Sequence, residues 1–362
     1  MNKENKKVGN RLYFMNDKNI RDGLVAQRVK AENIAALLLD KGILVSQKST
    51  KEELLDIVQK VRFDFYDYRY LCLLLENPDR RDSQSTSEIP EKCTKGNITK
   101  AFQDVKKSMS DDEISLTLTS ASATKFSIEA NYVDVDYSKA PMRQRTRKKG
   151  IIEIEVNREN GETSIHFPAT DVGKEVKNKL VKAISEQLQT QVTPIEIDYE
   201  HATTKERTEF FTRLIKLENY DVYDVVNVNV KNIGSDKDEN ESDFTGQVRK
   251  AVLSGQELLA SKIYDSFPSD KYHIYKIVWK VREIIPNVGS EQSDCYAVEA
   301  QFDNPDKSKG FRYQVKTVQR YSRGSLNATP SNSLNKHEAE KLSKLIYKTA
   351  LSIYTEMMQS KD

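Results

Sequence analysis

A strand, hairpin and helix succession that occurs twice constrains this chain more than any other feature of its sequence. The first runs from Gly150 to Leu188 and the second from Tyr296 to Tyr354. Each follows a long β-rich segment, FSIEANYVDVDY at 126–137 and HIYKIVWKVREI at 273–284. In the first, two strands meet at Asn160-Gly161, residues that tolerate positive φ and so predict a tight hairpin. The helix that follows has Val172, Val176, Leu180, Ile184 and Leu188 as one apolar stripe, with Lys174, Lys177, Lys179 and Lys182 on its solvated faces. The second ends on a helix whose apolar face carries Leu342, Leu345, Ile346, Thr349, Ile353 and Met357. Helices of this kind cover one face of an antiparallel sheet, so the fold class is α+β. The matching order of elements predicts an internal duplication of a three-strand-plus-helix unit, although identity between the copies is slight and α+β domains reach this order by chance as well.

The N-terminal part reads as helical. From Ile20, the spacing of Leu24, Val25, Val29, Ile34, Leu37 and Leu38 predicts a helix that stops at Gly42, a natural left-handed cap. After the short extension 43–47, Ser49 or Thr50 can cap a second helix, with Glu52 or Glu53 reaching back. Leu54, Val58, Val61, Phe65, Tyr68, Cys72 and Leu75 alternate four- and three-residue steps and predict one long helix over 54–75. Phe63, Tyr66, Tyr70, Leu73 and Leu74 make its remaining faces apolar, which suits burial against several neighbours or a partner chain. FDFYDYRY also alternates as a strand would, and the sustained period decides for helix.

Pro78 and the run 79–92, rich in Ser and charge, read as a linker. The expected domains are a helical 1–90, a first sheet-plus-helix unit over 91–200, and bridging elements with the second unit over 201–362. Within these, 97–109 and 203–217 read as helices, 114–121, 192–199 and 220–231 as strands, 234–243 as an acidic disordered loop, and 244–263 as helical through Val248, Val252, Leu259 and Ile263.

Composition narrows the function classes. Hydrophobic residues are 37% and charged residues 31% of 362, and the formal net charge is +2, so no global field draws the chain onto nucleic acid or membrane. Any basic site is local. Three scattered cysteines fit a reducing compartment, no apolar run is long enough to span a bilayer, and the polar first 20 residues do not read as a signal peptide. A cytoplasmic location without membrane attachment is the expectation. His166, His201, His273 and His337 lack metal-ligand spacing, and no phosphate-binding glycine loop or nucleophile elbow appears, so no cofactor, metal or catalytic residue is assigned. Glu153 with Glu155, and Glu299 with Lys316, are the nearest approach to a metal-nuclease site; cross-strand ion pairs on a solvated face are the favoured account of them.

Two stretches point to nucleic acid. In the first, residues 30–58, Leu37, Leu38, Gly42, Ile43, Lys48, Lys51, Leu54 and Leu55 follow a helix-extension-helix pattern. This stretch resembles the SAP-like modules, although its second helix is longer and its extension lacks the glycine often found before the lysine. The resemblance implies duplex DNA binding, with the second helix's N-terminal amides, Lys48 and Lys51 meeting phosphates. The second stretch is a basic loop, 142–149, where Arg143, Arg145, Arg147, Lys148 and Lys149 suit sequence-independent phosphate contact. A weaker cluster, Arg312, Lys316, Arg320 and Arg323, occurs in the second copy. The duplicated plan is also loosely similar to the saddle of the TATA-box binding protein, a likeness of fold that carries no function. The expected function is non-catalytic binding of duplex DNA, independent of sequence, within a prokaryotic DNA-processing or phage-defence complex of several subunits. The rival expectation is a structural adaptor or homo-oligomer that docks a protein partner through Phe65, Tyr68 and Leu75.

Overall fold

The computed structural model describes residues 16–25, 29–75, 82–109, 114–136, 142, 144–157, 161–232, 250–254, 271–327, 329–331 and 334–359. They form an α+β protein with a helical N-terminal part and a large antiparallel sheet. The chain divides into two compact units: Met1–Arg81 with Phe102–Ser120 and Ser127–Ile151, and Asp82–Ala101 with Ala121–Phe126 and Ile152–Asp362.

In the first unit, each of the two long helices expected at the N-terminus is a pair. The stretch from Ile20 to Gly42 holds α1 (Asp17–Val25) and α2 (Ala31–Asp40), and the stretch 54–75 holds the end of α3 (Lys51–Val58) and all of α4 (Phe65–Leu75). Asp64 makes the second break. Its Oδ1 accepts the amides of Tyr66 (2.8 Å) and Asp67 (3.0 Å), while Asp67 Oδ2 accepts the Asp64 amide (2.7 Å), a reciprocal cap that starts a new helix. The apolar period runs through both breaks because every helix turns its stripe to one core of Ile20, Leu24, Ile34, Leu37, Leu38, Leu54, Leu55, Val58, Leu71 and Leu75. At the end of α2, Gly42 adopts φ +75°, and the Ile43 amide reaches the Leu38 carbonyl (2.9 Å) while the Gly42 amide reaches that of Leu39 (2.8 Å). This is a Schellman cap, and Ile43 packs back onto the same core.

Helix α5 (Lys95–Ser108) is followed by strands β2 (Ser115–Ala121), β3 (Lys125–Val135) and β4 (Arg145–Val156), which lie side by side in that order. Within the first unit, Leu116, Ile128, Ala130 and Tyr132 point to a buried face, and Thr117, Thr119, Asn131, Arg147 and Lys149 alternate onto an exposed one. Strand β4 passes into the second unit after Ile151.

The second unit contains an antiparallel sheet in which the end of β4 is followed by β5 (Thr163–Pro168), β1 (Gln84–Ile89), β10 (Lys309–Gln319), β9 (Cys295–Asn304), β8 (Tyr272–Glu283), β6 (Tyr220–Asn232) and β7 (Lys250–Ser254). The expected hairpin joins β4 to β5, with Gly161 at φ +78°; Asn160 lies outside the described residues. Helices α7 (Thr204–Leu214) and α8 (Lys336–Gln359) close a core over β6, β8, β9 and β10 that contains Phe210, Phe211, Trp279, Val298, Phe302, Tyr313 and Ile346. On β5, alternate residues face opposite ways. The His166 ring stands edge-on to Tyr347 of α8 (6.1 Å), while Phe167 lies under the ammonium of Lys177 on α6 (Asp171–Leu188). Helices α6 and α8 therefore cover opposite faces of the sheet centre.

Four other expectations change. The linker 79–92 contains β1, a central strand. Its polar residues are accommodated because each hydroxyl has a partner: Ser85 donates to the Phe311 carbonyl (2.8 Å), Thr86 meets Tyr313 and His166, and Ser87 donates to Glu196 (2.7 Å). Residues 192–199 form no strand, only the single bridge from Ile195 to Glu88. Part of the helical pattern in 244–263 is strand β7, paired with β6, while 234–243 lies outside the described residues. Lys177 is buried rather than solvated, its charge met by Glu196 at 2.7 Å.

Candidate nucleic-acid interface

The residues proposed from sequence lie in the first unit, on the extension between α2 and α3 and on β4. The extension leaves Leu44, Ser46, Gln47 and Lys48 exposed. The Lys48 amide donates to Ser46 Oγ (3.2 Å), which fixes the turn before α3 and leaves the side chain in solvent. Lys51 is committed inward: its Nζ donates to the Val25 carbonyl (3.1 Å), the negative end of α1. The N-terminus of α3 is likewise occupied. Thr50 Oγ1 accepts the Glu53 amide (3.3 Å), Glu53 Oε2 accepts the Thr50 amide (2.8 Å), and Glu52 adds a second acid, paired with Arg21 at 3.3 Å. Two carboxylates in the first turn repel a phosphate from that position, so the contact implied for Lys51 and the helix amides is not the one the geometry favours.

The basic run is not a loop. Met142 is buried in the helical core of the first unit, and 145–149 is the regular start of β4. Arg143 lies outside the described residues. Alternation places Arg147 and Lys149 on the exposed face and turns Lys148 the other way, where Asp134 takes its charge at 3.1 Å. Lys149 pairs with Glu129 of β3 at 2.7 Å, and this hydrogen bond, helped by another from Asn131, holds the Glu129 carboxyl below its ordinary value. Arg145 is two positions from Arg147 on the same strand. Arg147 and Lys149, at alternate positions, stand about 7 Å apart along the strand. The same face carries Thr117, Thr119 and Asn131 together with the Glu129 carboxylate, which Asn131 and Lys149 both bind.

Of the weaker cluster Arg312, Lys316, Arg320 and Arg323, the first three are ion-paired. Lys316 and Lys276 both bind Glu299 (2.8 and 2.9 Å). Burial pushes the Glu299 carboxyl up, but these two ammonium groups outweigh it and hold it below its usual range. Arg312 pairs with Asp303 (2.9 Å), and Arg320 with Asp294 and Glu338 (2.7 Å each). Glu153 and Glu155 share Lys125 at 3.3 and 3.5 Å. These acids are cross-strand ion-pair partners, and no metal-binding cluster of His, Cys, Asp or Glu occurs among the described residues. No described helix is long and apolar enough to cross a membrane.

Of the residues assigned to partner docking, Leu75 is 5% exposed and belongs to the core, and Tyr68 is half-buried. Phe65 is 66% exposed, and Tyr66, absent from the assigned set, is 77% exposed. The reciprocal cap at Asp64 turns both rings out at the start of α4. A second group that sequence reading missed sits around β1. Thr86 Oγ1 lies 2.8 Å from both His166 Nδ1 and Tyr313 Oη, and Ser164 donates to Glu88 (2.8 Å). Burial lowers His166 to about 4, which favours its neutral ring, and raises the Glu88 carboxyl above its ordinary value.

No family model matches the chain, and no curated protein matches it. Among solved structures, it shows a likeness to the di-domain ARO/CYC StfQ from the steffimycin biosynthetic pathway. The identity is 8%, the match covers 77% of this chain and 98% of that one, and the TM-score is 0.15. A likeness that slight carries no argument about fold or function.

Proposed function

We propose that this is a non-catalytic nucleic-acid-binding protein that contacts duplex DNA through its backbone phosphates, with the exposed face of β4 as the contact line. The observation that carries the reading is that Arg147 and Lys149 stand exposed at alternate positions of a regular strand whose opposite face is buried. Charges held on a rigid sheet lose little entropy on meeting phosphates, and each one released from counterions adds to the salt dependence of binding. Lys48 on the extension supplies a further contact, in keeping with the SAP-like pattern of residues 30–58. Thr and Asn neighbours can add hydrogen bonds to phosphate oxygens, and contacts to phosphates carry no sequence information, hence binding independent of sequence. A place in a DNA-processing or phage-defence complex belongs to the same reading.

Fluorescence anisotropy with labelled duplex DNA across a salt series tests it. The Arg147→Ala, Lys149→Ala double variant should bind more weakly at every salt concentration. Its log–log salt slope should be shallower by about 2, roughly one for each phosphate that the variant no longer neutralises. An unchanged slope, or no duplex binding by the wild type at low salt, overturns the reading. A second reading, a scaffold that docks a protein through α4, is favoured by the exposure of Phe65 and Tyr66.

A further inference from the structure

Arg312, Lys316 and Arg320 are each held by a carboxylate, whereas Arg323 pairs with no acid among the described residues. It stands at the tip of a short hairpin, β11 (Tyr321–Ser322) and β12 (Ser325–Leu326), which follows β10 in the second unit. Arg323 has φ +52° and Gly324 φ +84°. Positive φ at both central residues is the type I′ geometry of two-residue hairpin loops, where Asn-Gly or Gly-Gly is the ordinary choice. Glycine takes the left-handed region freely and asparagine tolerates it, while arginine meets the full clash of its Cβ there. The residue at this tip therefore runs against local preference, and such an outlier points to a role outside the turn.

The hairpin is braced at its base. Arg320 donates to Glu338 of α8 through both terminal nitrogens (2.7 Å each), and one of them also reaches Asp294 (2.7 Å). Asp294 accepts the Tyr321 amide as well (2.7 Å), and the Asn327 amide donates to the Arg320 carbonyl (2.9 Å). Ser322 Oγ donates to Asn327 Oδ1 (3.0 Å). Beyond that base the tip is bare. Ser322, Arg323, Gly324 and Ser325 are all exposed, and apart from chain neighbours no atom lies within 4 Å of where a Cβ on Gly324 would stand. The stretch 321–337 contains no acidic residue, so none within it competes for the guanidinium.

We infer that this hairpin presents Arg323 to a backbone phosphate of duplex DNA, a contact additional to the β4 face; the inference rests on the DNA-binding reading above. A guanidinium is charged at every working pH and can meet two phosphate oxygens through parallel hydrogen bonds. Serine hydroxyls, which flank it here at Ser322 and Ser325, commonly add to phosphate contacts. The braced base limits the freedom lost when the contact forms. A charge that only kept the loop soluble would serve as well at Ser322 or Ser325, strand positions where the backbone is not left-handed. A protein partner fits less well, because residues 322–325 offer no apolar side chain around which the core of a protein interface could form.

Fluorescence anisotropy of the full chain with labelled duplex DNA across a salt series gives the test. Arg323→Asn should bind more weakly at every salt concentration, with a log–log salt slope shallower by about 1, the share of one phosphate. Its melting temperature should equal or exceed that of the wild type, because asparagine suits the left-handed turn. Arg323→Gln, which removes the charge and leaves the turn unrelieved, should show the same loss of slope, and Arg323→Lys should keep the slope. Wild-type affinity and slope in Arg323→Asn or Arg323→Gln overturn the inference. If the Arg147→Ala, Lys149→Ala variant still lowers the slope in that series, the DNA reading stands without the hairpin. A lower melting temperature in Arg323→Asn also overturns the inference, since the arginine would then serve the turn itself. A wild type that binds no duplex at low salt overturns both.

Discussion

Replacing Thr86 by valine removes one hydroxyl of nearly unchanged shape from the centre of the second unit's sheet. Thr86 is 5% exposed, and its Oγ1 stands 2.8 Å from both Tyr313 Oη and His166 Nδ1. A hydroxyl has one proton to give and two lone pairs, so Thr86 can link both neighbours whichever way the protons run. Each bond is worth about 0.5–1.5 kcal/mol net, and the buried Tyr313 hydroxyl left unpaired costs about 1–3 kcal/mol. Thr86→Val should therefore destabilise the second unit by about 2–4 kcal/mol. Removing the stranded group as well, in Thr86→Val with Tyr313→Phe, should cost at least about 1 kcal/mol less than the sum of the single changes. Urea unfolding followed by tryptophan fluorescence is suited to the measurement: Trp279 is the only tryptophan in the sequence and is fully buried in that unit's core. A Thr86→Val cost under about 0.5 kcal/mol, or strict additivity of the pair, would show that the hydroxyl chain does not hold β1 in place.

Two further perturbations bear on other parts of the molecule. His273, fully buried with Nε2 donating to the Pro305 carbonyl (2.8 Å), is lowered by burial to about 4. An unfolded histidine titrates near 6.5, so below that pH the unfolded chain takes up a proton that the folded chain refuses. This contribution to stability is complete above about pH 6.5, declines by up to about 1.4 kcal/mol per pH unit toward pH 4, and is lost below it. The difference in stability between wild type and His273→Gln should shrink over that range, and a constant difference counts against the assignment. For α4, light scattering on Phe65→Ser with Tyr66→Ser tests the scaffold reading. A fall to monomer mass makes α4 the assembly element, whereas an unchanged mass removes it.

The candidate site was only partly legible because sequence locates charge without showing what meets it. Arg147 and Lys148 are neighbours in one basic run, yet alternation along β4 exposes the first and turns the second toward Asp134. Lys48 and Lys51 fall in one lysine-bearing pattern, but Lys51 reaches back to the end of α1, twenty-six residues upstream. Both outcomes depend on partners distant in sequence or on which side of a strand faces solvent. Tyr66 was passed over for a related reason: an unbroken period over 54–75 sets it among the apolar faces of one long helix, while the cap at Asp64 restarts the helix and turns it outward.

What the sequence by itself determined was whatever local physics dictates. Hydrophobic period two marked β8, β9 and β10, period 3.6 marked α6 and α8, and short-range chemistry marked the hairpin at Gly161, the cap at Gly42 and a cap at Ser49 or Thr50, of which the structure uses Thr50. These signals act over a few residues and need no partner to be read. Only the tertiary structure decided that QSTSEI is a central strand, because its hydroxyls are tolerable there solely through Phe311, Tyr313, His166 and Glu196, all far away in the chain. It also decided that the charged rows of β8, β9 and β10 pair across strands, and that Arg147 and Lys149 stand on an exposed face, Lys149 against Glu129. Burial and pairing are properties of neighbours in space, and those neighbours exist only once the sheet has formed.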